Sequence, residues 1–303
     1  LYPVRPDVEK TVEDRIKDLL VKRFSLHELH SYVWSYYDEL KAIGLDADGV
    51  IKLDGATNPN IETIRRSMIP TQLCQVKSNT SFALRFGIFE IGRVVTGLDE
   101  NNNCIEKKKL AITLFSKIAP VSVLFYKLRD ILEIMSDDIK HKPLTFEAKQ
   151  AEYPYQHPVN LNRVFCDGVE IGEIGIVYPT VQKKIDKKAS IVYAEIDVEA
   201  FANIENASIQ YIEPSRFPEM EIDLSFISKT FAPIAIAIAE AKSPLVKNVY
   251  VTDIYEDEND GSKSITTRIV FAHPERTLTK EEVTEVTDKI IATLKEKGID
   301  LKQ

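Results

Sequence analysis

A chain of 303 residues with 44% hydrophobic and 28% charged side chains has the make-up of a soluble globular protein, long enough for about two domains. Its net charge of −8 excludes a surface that tracks a phosphate backbone throughout, because non-specific nucleic-acid affinity comes from displacing counterions with Lys and Arg; any RNA contact has to be local. The longest apolar run, Ile234 to Ala239, is too short to span a bilayer, and Cys74, Cys104 and Cys166 are spaced too widely for a disulfide framework or paired zinc ligands, so the expected home is a reducing cytoplasm.

Apolar residues at Val8, Val12, Ile16, Leu19 and Leu20 share one helical stripe. The following stretch, Leu29 to Tyr36, places Tyr32, Trp34 and Tyr36 on one side at period two and predicts a strand whose aromatics are sheet core. Asn58-Pro59 marks a turn, and Ser67 to Pro70 starts a helix with proline in its first turn and Leu73 and Val76 facing inward. Phe82 to Val95 reads as one long strand or a strand pair. The charged stretch Asp99 to Lys109 is expected to be the loop that returns the chain into a strand from Leu110 to Phe115. Pro120 opens a helix with the stripe Leu124, Leu128, Ile131, Leu132 and Met135. Short strands return from Leu144. Asp167-Gly168 signals a type I′ hairpin, because both residues tolerate positive φ, and a strand near Ile191 to Ile196 closes the module.

After Glu205 to Pro214, the expected linker, the pattern changes. Met220, Ile222, Leu224 and Phe226 alternate with Glu219, Glu221, Asp223 and Ser225, which predicts a half-buried strand with one polar face. An apolar helix over Phe231 to Ala241 follows, then strands Val246 to Tyr255 and Ser264 to Ala272 joined by an acidic loop. Thr279 to Glu282 forms a capping box ahead of a last helix. The order βαββαβ is that of the ferredoxin-like fold, with helices on one sheet face and the other face open.

Catalytic motifs are sparse. His27-Glu28-Leu29-His30 spaces its histidines by three where a zinc-protease helix needs four. Gly172 and Gly175 lack the third glycine and following helix of a phosphate cradle and read as strand glycines. Neither a serine elbow nor a Cys/His signature is present.

Several segments, in order, resemble the bacterial phenylalanyl-tRNA synthetase beta family over nearly the whole length. "NPNIETIRRSMIPTQL" is similar to its Asn-Pro and Arg-x-Ser-x-x-Pro segment, with Arg65 or Arg66 and Ser67 at the matching positions. "FEIGRVV" is similar to its Phe-Glu-x-Gly strand. His157, Pro158, Gly168, Ile171, Gly172, Gly175 and Pro179 match its His-Pro and glycine-spaced stretch, and "RFPEMEIDLSF", "VTDIYE" and "RTLTKEEV" resemble its anticodon-binding domain. The resemblance implies an α+β chain. Residues 1–204 would be a class II synthetase-like antiparallel sheet with flanking helices, 205–214 a linker, and 215–303 a ferredoxin-like anticodon-binding domain. Opening at Leu1, the sequence reads as an excised piece whose upstream domains lie outside it.

Class II synthetases hold ATP phosphates with arginines, whose forks pair with phosphate in two places. The matching stretch here offers Tyr178, Pro179 and Thr180. The resemblance therefore implies a noncatalytic module that supports an alpha subunit in an alpha2beta2 heterotetramer, where the alpha subunit holds ATP and magnesium. For tRNA(Phe) it leaves Arg216, Arg268, Arg276 and Lys280 as candidate phosphate contacts. Two departures weaken that expectation: Ile222 stands before Asp223 where the family commonly has arginine, and Leu301-Lys302 replaces a terminal Leu-Arg. Residues 216–303 carry 12 basic against 16 acidic side chains, a net of −4. The alternative is a paralogous binding protein derived from such a beta chain.

Overall fold

The stripe that begins at Val8 folds, in the computed structural model, as α1 (Val8–Lys22). Asp7 caps it by accepting from the backbone N–H groups of Glu9 and Lys10, and Val12, Ile16 and Leu20 are buried. The structure describes all residues except 1–6, 35, 47–50, 54, 56–57, 62, 210–214, 229, 242, 257–262 and 303. Most of the expected acidic loop and half of the expected linker thus lie outside the described residues. The chain divides into two units, residues 1–209 and 210–303.

In the first unit the chain continues through β1 (His27–Glu28), α2 (Tyr37–Ile43), β2 (Ile51–Lys52), β3 (Thr63–Ile64) and α3 (Ile69–Asn79). Then come β4 (Arg85–Leu98), β5 (Cys104–Ser116), α4 (Val121–Lys140), β6 (Leu144–Ala148), β7 (Gln156–Cys166), β8 (Val169–Val177), α5 (Pro179–Ile185), β9 (Ser190–Asp197) and α6 (Val198–Asn203). The main sheet runs β1-β4-β5-β9-β8-β7-β6; β1 pairs parallel to β4 and every other pair is antiparallel. Both faces are covered. One core packs α1, α4 and α6 against the sheet through residues such as Leu20, Leu128 and Phe201; the other packs α2, α3 and α5 through Ile43, Leu73 and Val181.

Three expectations need correction. The strand predicted for Leu29 to Tyr36 does not form: β1 ends at Glu28, before it, and within the described part of the stretch only an isolated bridge joins Trp34 to Ile64. Its aromatics do lie together, with Tyr32 stacked on Trp34 at 4.6 Å and the Trp34 indole donating to the Tyr36 hydroxyl, but Tyr32 is 63% exposed and is no core residue. The loop predicted for Asp99 to Lys109 is only the turn before Cys104. Lys107, Lys108 and Lys109 belong to β5, where Asp197, Glu9 and Glu195 pair with them in turn, so charge alone was a poor guide to loop. The short helices α2, α5 and α6 were not anticipated; α6 follows the strand expected to close the module.

The glycine-rich stretch behaves as strand. Asp167 and Gly168 take φ of +54° and +76° at the β7–β8 hairpin. A side chain at Gly172 would meet the Glu195 carbonyl oxygen at 2.1 Å, so glycine is required by the approach of β9. The His157-Pro158 segment forms a protrusion where the β7–β8 register skips from Gln156 to Leu161. The His157 ring accepts from the N–H groups of Val159 and Asn160 and fixes it.

Lys140 is buried, and no carboxylate among the described residues pairs with it. Its ammonium donates to the carbonyls of Ala202 and Ile204, at 2.8 and 2.6 Å, satisfying the end of α6, and burial holds its pKa below the ordinary lysine value.

The second unit comprises β10 (Met220–Ile227), α7 (Ala232–Glu240), β11 (Val246–Glu256), β12 (Lys263–Phe271) and α8 (Lys280–Glu296). The antiparallel sheet has the order β10-β12-β11. Phe226, Ile265, Ile269 and Phe271 face Ile234 of α7 and Ile290 and Leu294 of α8. The predicted capping box forms: Thr279 accepts from the N–H of Glu282, and Glu282 accepts from that of Thr279. The final strand of the βαββαβ order is reduced to a bridge between Leu301 and Phe226, flanked by hydrogen bonds from Ile227 N to Asp300 O and from Lys302 N to Ser225 O.

Candidate functional site

The Arg-Arg-Ser segment enters the first unit between β3 and α3, and the polar groups of Arg65 and Ser67 are consumed internally. The Arg65 guanidinium is 2% exposed; it donates to Glu90 at 2.9 Å, to Ser31 Oγ at 2.6 Å and to the Arg93 carbonyl at 3.2 Å. Gly92 makes room for it, since a Cβ there would lie 2.6 Å from Arg65 Nη2. The Phe-Glu-x-Gly strand and the arginine segment are therefore two halves of one buried ion pair.

A second buried carboxylate lies nearby. Glu195 accepts from Ser67 Oγ at 2.9 Å, from the N–H of Met68 at 2.8 Å and from Lys109 Nζ at 2.8 Å. Burial would lower the Lys109 ammonium, but Glu195, with Glu173 and Asp197, outweighs it and holds the pKa above the ordinary lysine value. Tyr155, whose hydroxyl lies 3.4 Å from Ser67 Oγ, is pushed well above a free tyrosine by burial and then by Glu195. A cavity of about 390 Å³ opens beside these groups, lined by Arg66, Ser67, Pro70, Tyr153 and Tyr155 among others. Tyr178, in the stretch that matches the arginine-bearing part of class II synthetases, is the N-terminal cap of α5. No cluster of three His, Cys, Asp or Glu able to hold a metal occurs among the described residues. What this face does chemically is fix β3, α3 and β9 to one another.

The second unit offers a different kind of surface. On the sheet face away from its helices, cross-strand register sets Asp223, Arg268 and Tyr250 in one row and Ser264 beside Tyr255 in another. Arg268 donates to both Asp223 oxygens at 2.7 Å and pairs with Glu221 at 2.9 Å. The Asp223 bond raises the Arg268 pKa, and in return Arg268 holds the Asp223 carboxyl below the usual range. Glu219 pairs with Lys247. The row of carboxylates read from the β10 alternation is therefore partly neutralised in place, three carboxylates meeting two cations, and is not a bare acidic stripe. Tyr250 and Tyr255 are 40% and 54% exposed, and Lys302 Nζ lies 4.7 Å from the centre of the Tyr255 ring.

The candidate cations fall in two places. Arg268 is pinned mid-sheet. Arg216 is exposed ahead of β10, and the bond from Ser215 Oγ to the His273 carbonyl brings its segment beside the turn carrying Arg276. Arg276 is engaged by Glu282 at 2.8 Å, which, with the Thr279 cap, depresses the Glu282 carboxyl to about 2. Lys280 is exposed in the first turn of α8. Sequence reasoning missed Tyr250, Tyr255 and Lys302. Period two along β11 could have placed the tyrosines, but two bulges, between Val246 and Asn248 and between Val251 and Asp253, break that period.

Comparison with known proteins agrees with this division. Residues 2–198 match the family described as phenylalanyl tRNA synthetase beta chain CLM domain, and residues 215–302 match the ferredoxin-fold anticodon binding domain. The chain is similar to the phenylalanine–tRNA ligase beta subunit of Bacillus subtilis, 27% identical with 77% of this chain and 30% of that protein covered. It is also similar to the beta subunits of Leptospira interrogans, 24% identical over 99% of this chain and 39% of that protein, and of Geobacillus kaustophilus, 28% identical over 89% and 35%. The chain thus spans about a third of the length of these relatives. No described helix is long and apolar enough to cross a membrane.

Proposed function

Because the chain belongs to the phenylalanyl-tRNA synthetase beta-chain family, we propose that it is a noncatalytic part of a cytoplasmic phenylalanine–tRNA ligase, supporting assembly with an alpha subunit and binding tRNA(Phe). In this reading the complex is an alpha2beta2 heterotetramer, and the alpha subunit holds ATP and magnesium. The observation that carries the proposal is the contrast between the two units: Arg65 is locked inside the first, while the second keeps an open sheet face with aromatic and cationic side chains. Exposed tyrosines on such a face suit unstacked bases, each stack contributing roughly 1–3 kcal/mol. Arg216, Arg276 and Lys280 would meet the flanking phosphates.

A paralogous binding protein is the second reading, favoured by the net charge of −4 over residues 216–303 and by the carboxylate grip on Arg268. Titration with tRNA(Phe) at low salt separates the two. The ligase part binds with a log–log salt slope of only a few, since each phosphate contact contributes about one unit, and Arg276→Ala with Lys280→Ala lowers that slope. Absence of binding at low salt, together with failure to bind the alpha subunit, leaves the paralogue. Pyrophosphate exchange with phenylalanine by the chain alone would overturn the noncatalytic assignment.

A further inference from the structure

The core beneath α1 and α4 is open at one end. α1 stops at Lys22 and the chain turns away at Ser25, with φ of +54°, while α4 begins only at Val121. The sheet near the Arg85–Ser116 pair is left uncovered, and a cavity of about 510 Å³ results. Its floor is apolar, formed on the α1 and α4 side of the sheet by Phe24, Leu26, Leu114 and Leu124.

The mouth combines two features. Ile118 and Val123 line it at 60% and 56% exposure, next to Leu84 and Tyr126 at 61% and 60%; the Leu84 carbonyl accepts from the N–H of Lys117 at 2.8 Å, which joins the two edges of the patch. Exposed apolar side chains scattered singly are ordinary, whereas a contiguous group around a hollow marks an interaction surface. The charged lining residues are Arg85 and Lys127, both exposed and neither in an ion pair among the described residues, and no described carboxylate lines the cavity. A purely cationic rim on a chain of net charge −8 selects for the opposite sign in whatever enters.

We propose that this cavity docks a segment of a partner protein carrying large apolar side chains flanked by Asp or Glu. The apolar groups fill the floor and the carboxylates pair with Arg85 and Lys127. The site lies wholly within the first unit and does not depend on the tRNA proposal.

The test uses the intact chain and three fluorescent synthetic peptides of equal length: Leu and Phe flanked by Asp and Glu, the same core flanked by Lys, and the acidic flanks around a Gly-Ser core. Anisotropy at low salt should show the acidic apolar peptide binding at least tenfold more tightly than the others. Arg85→Glu with Lys127→Glu should weaken it on the order of tenfold and shift preference to the Lys-flanked peptide. Val123→Asp, at an exposed position, should remove binding of every apolar peptide and carries the test if the double reversal does not fold. Equal binding of both apolar peptides, or affinity untouched by these substitutions, overturns the proposal. So does binding of laurate without any of the peptides, or a concentration-dependent dimer that Val123→Asp disperses, since the occupant would then be a lipid or a second copy.

Discussion

The two units use the same pairing of arginine with carboxylate in opposite surroundings. Arg65 and Glu90 are 2% and 3% exposed, whereas the Arg268 and Asp223 side chains are 34% and 42% exposed. A pair removed from water is costly to break from one side, because the abandoned charge has no solvent to turn to; an exposed pair is screened, and water or a phosphate oxygen can replace either partner. The first unit therefore fixes geometry with its ions. The second holds its ions in reserve.

Breaking the buried pair is the largest expected effect. Arg65→Met should destabilise the first unit by roughly 3–5 kcal/mol by stranding Glu90, and adding Glu90→Leu should recover much of that. Urea unfolding followed through Trp34, the chain's single tryptophan, reads this directly, since the Arg65 N–H donates to the Val33 carbonyl next door. A loss equal to that of an exposed pair would erase the contrast. Glu195→Gln comes next: it keeps the shape but weakens three bonds and leaves the Lys109 ammonium poorly compensated, for a cost of roughly 2–3 kcal/mol on the same assay.

The exposed pairs should respond through binding and titration. Asp223→Asn is expected to leave the unfolding midpoint of the second unit unchanged and, by weakening one of the two carboxylate grips on Arg268, to tighten tRNA binding a few-fold at low salt. Unchanged affinity would mean that Arg268 is not held in reserve. The smallest effect is a titration. Because the folded Glu282 pKa is depressed to about 2 from an ordinary 4.5, its contribution to the α8 cap is present above pH 4.5 and is lost as pH falls through about 2. The Glu282 carboxyl resonance should shift near pH 2 in the intact chain and at a higher pH in Arg276→Ala, which lacks the largest lowering contact.

Local patterns were legible in the sequence. The stripes of α1 and α4, the Asp167-Gly168 hairpin and the Thr279 capping box each depend on residues a few positions apart, and all form as expected. The family resemblance was legible for the same reason, being carried by short ordered segments, and the family matches agree with it. The locks were not legible. Arg65 finds Glu90 25 positions away and Arg268 finds Asp223 45 positions away, and only strand register brings either pair together. Tyr32, Trp34 and Tyr36 misled because period two describes a strand only when a neighbour accepts its hydrogen bonds, and among the described residues of the stretch only Trp34 has a bridge.

An open three-stranded sheet presents two rims as well as a face, and unpaired backbone on a rim invites another strand to add itself. The second unit guards its rims by different means. Residues 300–302 lie along the end of β10 with a bridge and two hydrogen bonds, a minimal fourth strand that occupies the rim groups of Ser225 and Ile227. β11 carries two bulges, which bend it and put its donors and acceptors out of step with any straight partner. The face can thus stay bare while addition of a further strand is hindered at residues 225–227 and along the bulged β11.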